Sequence, residues 1–393
     1  MVKTSNLFNK TLVVGVIVLF LGVSFQPVFA FDNVKKSSIP FSDGNILYVG
    51  GNGTGNYTRI QDAVDNATDS DTVFVYDDSS PYYENVIVNK SIKLIGENRE
   101  TTVINGSLNQ SLSTVYILSE NVTLSGFTFQ KYLINNYTND NVIEIQSDYN
   151  IISGNILTGN KTIGIQIEDS HYNNISSNVF TSNLDLGIFL YHSNYTNISN
   201  NYFSGVFVGI CLQYYSNNND ITNNFISYCG AGLYLLFTRN NFIYGNIITN
   251  NQIGISSESF SINNKIIGNN ISYNKLGLFI MSPLEDEVTQ NNFIANNESA
   301  YFFYDIYFGL RAKHFLGIKP YIPKIFWNSN YWDEPRLQSY FIPGFITFFS
   351  FNFLIRYFFR FYIKDSEQEL FPFPINWFNM DKHPAKEPYE ILP

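Results

Sequence analysis

Ile152-Ser-Gly-Asn155, Ile175-Ser-Ser-Asn178, Ile198-Ser-Asn-Asn201, Ile221-Thr-Asn-Asn224, Ile243-Tyr-Gly-Asn246, Ile266-Ile-Gly-Asn269 and Val288-Thr-Gln-Asn291 are seven versions of one phrase, set 22 or 23 residues apart. Eight or nine residues after each asparagine comes Gly164, Gly187, Gly209, Gly232, Gly254 or Gly277, with Ala300 in the seventh slot. Self-similarity at a period of 20–50 residues marks a stacked fold in which each repeat buries its apolar face against its neighbours. Around the glycines the pattern is Ile163-Gly-Ile-Gln-Ile167, Leu186-Gly-Ile-Phe-Leu190 and Leu276-Gly-Leu-Phe-Ile280, an alternation of period two that reads as strand.

A coil of 22–23 residues is too short for a βαβ unit, which needs about 30. A leucine-rich repeat would place leucines nine, six and four residues before each asparagine; before Asn178 those positions hold Asp169, Tyr172 and Asn174. The remaining architecture is all-β, a single-stranded right-handed parallel β-helix. Successive coils then stack about 4.8 Å apart, so equivalent side chains form ladders along the axis. The column Ile152 to Val288 is expected inside, the asparagine column in a hydrogen-bonded turn, and the glycines where a turn disfavours other residues.

The ends of such a stack need covers. Within Tyr57–Ala67, residues Ile60, Ala63, Val64 and Ala67 share a helical face, with Thr58 as the candidate N-cap. Strands are expected at 72–76, 85–88, 92–95, 102–104, 115–117, 122–129 and 142–145. An aromatic C-terminal cap containing Trp327, Trp332 and Trp377 follows Tyr301. The division is therefore 1–30 as a signal segment, 31–300 as the β-helix with its cap (regular coils 150–300), and 301–393 as a capping extension.

Lys3 and Lys10 flank the start of the apolar run 12–23, and Val28-Phe29-Ala30 offers a small-residue cleavage site, so an exported, extracytoplasmic chain is expected. The alternative is an uncleaved N-terminal anchor. The net charge of −10 and the lack of clustered Lys and Arg argue against a nucleic-acid partner. Cys211 and Cys229 lie in adjacent coils about five residues out of register, too far for a disulfide, and are expected as free thiols with one buried. Asn-x-Ser/Thr triplets, such as those at Asn66, Asn121 and Asn197, are common in so Asn-rich a chain. The Phe-rich stretch 340–363 is interrupted by Pro343, Gly344, Arg356 and Arg360, which favours an aromatic cap over a membrane-contacting segment.

Tyr57-Thr-Arg-Ile-Gln-Asp-Ala-Val64, Asp71-Thr-Val-Phe-Val-Tyr76 and Tyr83-Glu-Asn-Val-Ile-Val88, with the coils that follow, resemble the opening of pectin lyase-like β-helix proteins. The NosD-like group with parallel β-helix repeats is the most similar. Asn330-Tyr-Trp-Asp-Glu-Pro-Arg336 resembles closing segments of that group. The resemblance implies fold, export and dealings with carbohydrate; the motifs of pectin methylesterases and pectate lyases are absent. The NosD name implies copper, but copper favours Cys, Met and His, and the chain has two, three and four of these. No metal or cofactor is therefore expected.

Aligning coils on their glycines places the second and fourth following residues outward, and the fifth adds to this face. Glu168, Asp169, His171, Tyr191, His192 and Tyr214 then gather on three neighbouring coils. Rings offering flat apolar area beside hydrogen-bonding carboxylates suit a glycan; the same residues also suit a solvated face stabilised by stacked side chains. Catalysis needs two convergent acid–base groups, and no catalytic residue is assigned. The expected function is an exported envelope protein that binds polysaccharide or is structural, the alternative a polysaccharide-processing lyase, hydrolase or epimerase.

Overall fold

The computed structural model describes residues 44–391 except 108–111, 133–140, 182, 259–260, 282–284, 306–324, 334–339, 348–374 and 382–383. Each coil contributes one strand to each of three sheets, and neighbouring coils pair in parallel: Ile175 lies against Ile152 and Ile198, Phe180 against Leu157 and Phe203, Ile188 against Ile165 and Ile210. Sheet 1 runs from Ile46–Val49 to Ile325–Asn328, sheet 2 from Val103–Asn105 to Tyr331–Trp332, and sheet 3 from Val86–Val88 to Ile375–Asp381. Strands of sheets 1 and 2 are short; a unit such as Asn174-Ile175-Ser176 turns one apolar side chain inward between two outward polar ones. Sheet 3 carries six-residue strands such as Ile163–Glu168 and Leu186–Tyr191.

The column Ile152, Ile175, Ile198, Ile221, Ile243, Ile266 and Val288 fills the bore and is buried throughout. Across from it, Phe180 and Phe203 stack at 4.5 Å. The asparagines form the expected ladder at the corner between sheets 1 and 2. Asn178 donates from its backbone N (3.0 Å) and its Nδ2 (3.1 Å) to Oδ1 of Asn201, and from Nδ2 to the Ile152 carbonyl (2.8 Å). A side-chain amide thereby satisfies backbone groups at a buried corner that no water reaches. The ladder continues past Asn291 to Asn330 (3.0 Å) and ends on the buried carboxylate of Asp381 (3.0 Å), which also accepts from Trp332 Nε1 (3.1 Å). A second ladder, through Asn219, Asn241 and Asn264, lines the corner between sheets 3 and 1 and ends on Asp286.

The glycine column has a different cause from the expected one. Gly164, Gly187, Gly209 and Gly232 lie within strands of sheet 3, and none is among the glycines of positive φ. A Cβ on Gly164 would stand 2.5 Å from the carbonyl oxygen of Gly187 and 2.9 Å from the Phe180 ring. Absence of a side chain is needed for close packing, not for turning. The left-handed turn before the ladder asparagines from Asn155 to Asn269 is made by a different column, Gly154, Ser177, Asn200, Asn223, Gly245 and Gly268.

The N-terminal helix spans Ile60–Asn66 and buries Ile60, Ala63 and Val64 over the first coils. Its N-cap is Arg59, not Thr58, and makes no side-chain cap. Glu84 from the following coil replaces it, accepting from the backbone N of Ile60 (2.9 Å) and Gln61 (3.1 Å), where a carboxylate also meets the positive helix end. At the other end, Trp327 and Trp332 belong to one more coil, paired with Val288 and Phe293. Tyr340–Thr347 then adds in parallel and Ile375–Asp381 closes the edge antiparallel. Among the described residues no helix is long and apolar enough to cross a membrane. The proposed signal segment, and residues 348–363 of the Phe-rich stretch, lie outside the described residues.

Candidate functional site

The strand alternation of sheet 3 fixes which groups face out. Register places Tyr116, Glu144, Gln166, Phe189 and Cys211 in one outward column. Glu168, Tyr191 and Gln213 follow each other in the parallel column, with Gln146 beside Glu168, since Ile145 pairs with Ile167. Two carboxylates and two amides thus occupy the diagonals of a small square. Each amide serves the carboxylate of its own strand: Gln146 Nε2 donates to Glu144 Oε1 (3.1 Å) and Gln166 Nε2 to Glu168 Oε2 (3.1 Å). Glu144 Oε2 accepts in addition from Ser113 Oγ (2.9 Å) and Asn141 Nδ2 (3.2 Å). Tyr116 borders the square on one side. Burial, then the charge of Glu144 and a hydrogen bond to it, and the charge of Glu168 push its phenol up to about 12.

The other side is bordered by rings. Tyr191 lies 4.2 Å from the His192 ring and 5.4 Å from Tyr214, which stacks on Phe237 at 5.6 Å. Asp169 and His192 occupy successive turns, and His192 Nδ1 is 3.3 Å from Asp169 Oδ1. Asp169, His192 and Tyr214 have φ of 48°, 50° and 44°. A left-handed non-glycine residue costs roughly 1–2 kcal/mol. The same conformation recurs in turns all along the solenoid, so it belongs to the fold and does not mark function.

The structure therefore brings Glu168, Asp169, Tyr191, His192 and Tyr214 together as expected, and separates His171 from them. His171 stands in a turn column with Asp148 and Asn194. Its N donates to Asp148 Oδ1 (2.6 Å), and its Nδ1 accepts from the Asn194 N (3.2 Å), the service Asn194 Oδ1 performs for Asn217 (2.8 Å). This histidine holds a turn. Tyr116, Glu144 and Gln146 were missed by the glycine alignment because Val142 stands where later coils have glycine. The alternation Val142-Ile143-Glu144-Ile145 is the signal that locates them.

Farther along sheet 3 the outward face is partly covered, with Tyr234, Glu258, Phe279 and Met281 half-buried. Cys211, Leu236 and Ser256 are buried, and Glu258 accepts from Ser256 Oγ (2.8 Å) and Tyr234 Oη (3.3 Å). Burial outweighs these bonds and raises the Glu258 carboxyl. Glu258 is four coils from Glu168, about 19 Å at 4.8 Å per coil, too far for both to act on one glycosidic bond. A separate open cleft of ≈ 540 Å³ lies at the N-terminal end, lined by Tyr48, Tyr76, Asp77, Asp78 and Glu97.

A family model described as "Periplasmic copper-binding protein (NosD)" matches residues 52–227 and 207–307. The chain belongs to the NosD family. The periplasmic description agrees with the extracytoplasmic location expected for this chain. Among characterised proteins no sequence matches significantly. Among solved structures, the enzymatically active domain of bacteriophage CBA120 tailspike protein 2 is 13% identical, covers 62% of this chain and 43% of that one, and has a TM-score of 0.50. This is a likeness of fold. The A-module of Azotobacter vinelandii mannuronan C-5 epimerase AlgE6 is 17% identical, with 63% and 85% covered and a TM-score of 0.48. The periplasmic alginate epimerase AlgG is 14% identical, with 60% and 61% covered and a TM-score of 0.42.

Copper in the family description calls for a fit test. Cys211 and Cys229 are both free and both buried, where only one was expected inside, because Cys211 is covered although it faces out of the sheet. Burial pushes both thiols up to about 12 and leaves them inaccessible from solvent. His171 Nδ1 is engaged in its turn. Among the described residues no three His, Cys, Asp or Glu side chains are placed to hold an ion. The donors among the described residues do not fit copper.

Proposed function

We propose that this protein is an extracytoplasmic polysaccharide-binding β-helix whose binding face is the stretch of sheet 3 from Tyr116 to Tyr214. The observation that carries this reading is the square of alternating carboxylates and amides, bordered by Tyr116 and by Tyr191 with its neighbouring rings. Hydroxyl groups both donate and accept. A face alternating Glu and Gln answers both roles, while rings offer apolar area to sugar carbons. The face repeats from coil to coil, which suits a polymer lying along or across the coils. Retention in affinity electrophoresis through polysaccharide-containing gels tests the reading: the protein is expected to be slowed, and Tyr191→Ala to migrate freely while keeping its circular dichroism. Equal retardation of both would place binding elsewhere.

A second reading, that the face also processes the polymer, rests on the Asp169–His192 pair at 3.3 Å beside Tyr191. An imidazole oriented by a carboxylate, next to a phenol, is an arrangement for proton transfer. Under this reading His192→Gln loses product release and retains binding. Absence of any product from the unsubstituted protein across the polymers it binds would remove it.

A further inference from the structure

Resting on the binding face proposed above, we infer that its ligand is an uncharged, hydroxyl-rich polysaccharide and that polyuronates are excluded. The sheet register gives the outward strand positions of that face among the described residues. Between Tyr116 and Gln213, two of the outward positions are carboxylates (Glu144 and Glu168), three are amides, and rings, an aliphatic chain and the buried thiol of Cys211 fill the rest. None is Lys or Arg.

Among the described residues, the neighbouring cations are turned away from the face: Lys131 is fully buried and donates to the carbonyls of Gly106 (3.0 Å) and Leu112 (2.6 Å). Lys161 sits in the turn before Ile163–Glu168, at the opposite end of the strand from Glu168, where its charge acts on Asp185. Arg239 lies in the turn column of His171, three coils farther on. Asp169 adds a third carboxylate at the edge, largely exposed and paired to His192.

A polymer with one carboxylate per sugar would thus meet two or three like charges and no fixed countercharge. Carboxylate recognition ordinarily uses the bidentate fork of arginine or the point charge of lysine, and like-charge juxtaposition acts against the wrong partner. For a neutral glycan the same carboxylates are assets. Each presents acceptor lone pairs to hydroxyl donors in a charge-assisted bond, and Gln146 and Gln166 hold them in place. The phenol of Tyr116, hydrogen-bonded to Glu144, offers its oxygen as an acceptor to a sugar hydroxyl.

The test is a titration panel in 20 mM and 300 mM salt with neutral polymers (mannan, a β-glucan, a galactan) and polyuronates (alginate, polygalacturonate). Wild type, Glu144→Gln, Glu168→Gln and Tyr191→Ala are compared, each checked by circular dichroism. The expected result is binding of at least one neutral polymer at both salt concentrations and no polyuronate binding at either. Each Glu→Gln change should weaken neutral binding about tenfold, without abolishing the fold. Polyuronate binding equal to or tighter than neutral binding, weakened by salt and lost in Tyr191→Ala, overturns the inference while leaving the binding face intact. If no polymer of either class binds, the binding face itself falls.

Discussion

Replacing Asp286 by asparagine should remove most of one pH-dependent weakness built into the solenoid. Asp286 ends the ladder of Asn219, Asn241 and Asn264, accepting from the Asn264 backbone at 2.8 Å through Oδ1. Its Oδ2 is buried with no partner among the described residues. Burial, opposed only by its bonds with Asn264, pushes the carboxyl from 3.8 up to about 8. The folded protein therefore holds a proton that the unfolded chain releases above pH 3.8. Stability from this group is fully present below that value, declines as pH rises, and has been lost once the folded value near 8 is passed. At pH 7 the interval is about three units, or about 4 kcal/mol at ~1.4 kcal/mol per unit. That is a large share of the 5–15 kcal/mol typical of a folded domain.

Asparagine has the same shape and carries no titrating proton. It also supplies the donor that the ladder repeats elsewhere: Asn219, Asn241 and Asn264 send Nδ2 to the carbonyls of Ser193 (3.1 Å), Ser216 (3.1 Å) and Thr238 (3.4 Å). The equivalent acceptor for position 286 is the Ser261 carbonyl. Chemical denaturation at pH 4 to 9 should show little difference between Asp286→Asn and wild type at pH 4. The gap should widen to several kcal/mol by pH 8 and stay constant above. A difference that does not change between pH 4 and 8 would refute the reasoning, because the carboxyl would then be ionising alike in both states.

Other substitutions probe the packing. Asn201→Ala removes the acceptor of Asn178 N and Nδ2 and the donor to the Ile175 carbonyl. It should cost about 2–4 kcal/mol in denaturant midpoint, with amide exchange accelerated first in the two adjoining coils. Gly209→Ala puts a Cβ 2.6 Å from the Gly232 carbonyl oxygen; a loss of about 1–3 kcal/mol is expected, and an unchanged melting temperature would show that sheet 3 yields freely. Ile198→Asp places an unpaired charge in the bore and should give an unfolded or insoluble product. Unaltered melting would contradict the inward assignment.

The coil architecture was legible because stacking forces equivalent residues into one environment, so Ile152 to Val288 and Asn155 to Asn291 repeat without alignment. What the pattern did not convey was its physical cause. The glycines read as turn residues, yet their role is to leave room for the next coil, whose carbonyl oxygen would lie 2.5 Å from a Cβ at Gly164 or Gly187. Asn330 escaped the ladder because 39 residues separate it from Asn291, although the hydrogen bond is the same. Thr58 satisfied the local rule for a cap, but Glu84, 24 residues away from Ile60, supplies the function. In the candidate site, alternation located Glu168 and Tyr191, and the fifth position after each glycine located Asp169, His192 and Tyr214. His171 was misassigned, since whether a turn residue faces solvent or bonds the next coil depends on that coil's backbone. Glu144 and its neighbours were hidden by Val142, a deviation from the glycine frame that leaves the strand register intact.

The most direct test of the central claim is hydrogen–deuterium exchange of the whole protein with and without a polysaccharide that it retains. Added protection is expected in the segments carrying Glu144, Glu168, Tyr191 and Tyr214, with sheets 1 and 2 unaffected. Protection confined to another sheet, or to the N-terminal cleft around Tyr48 and Tyr76, would contradict the assignment of the sheet 3 face.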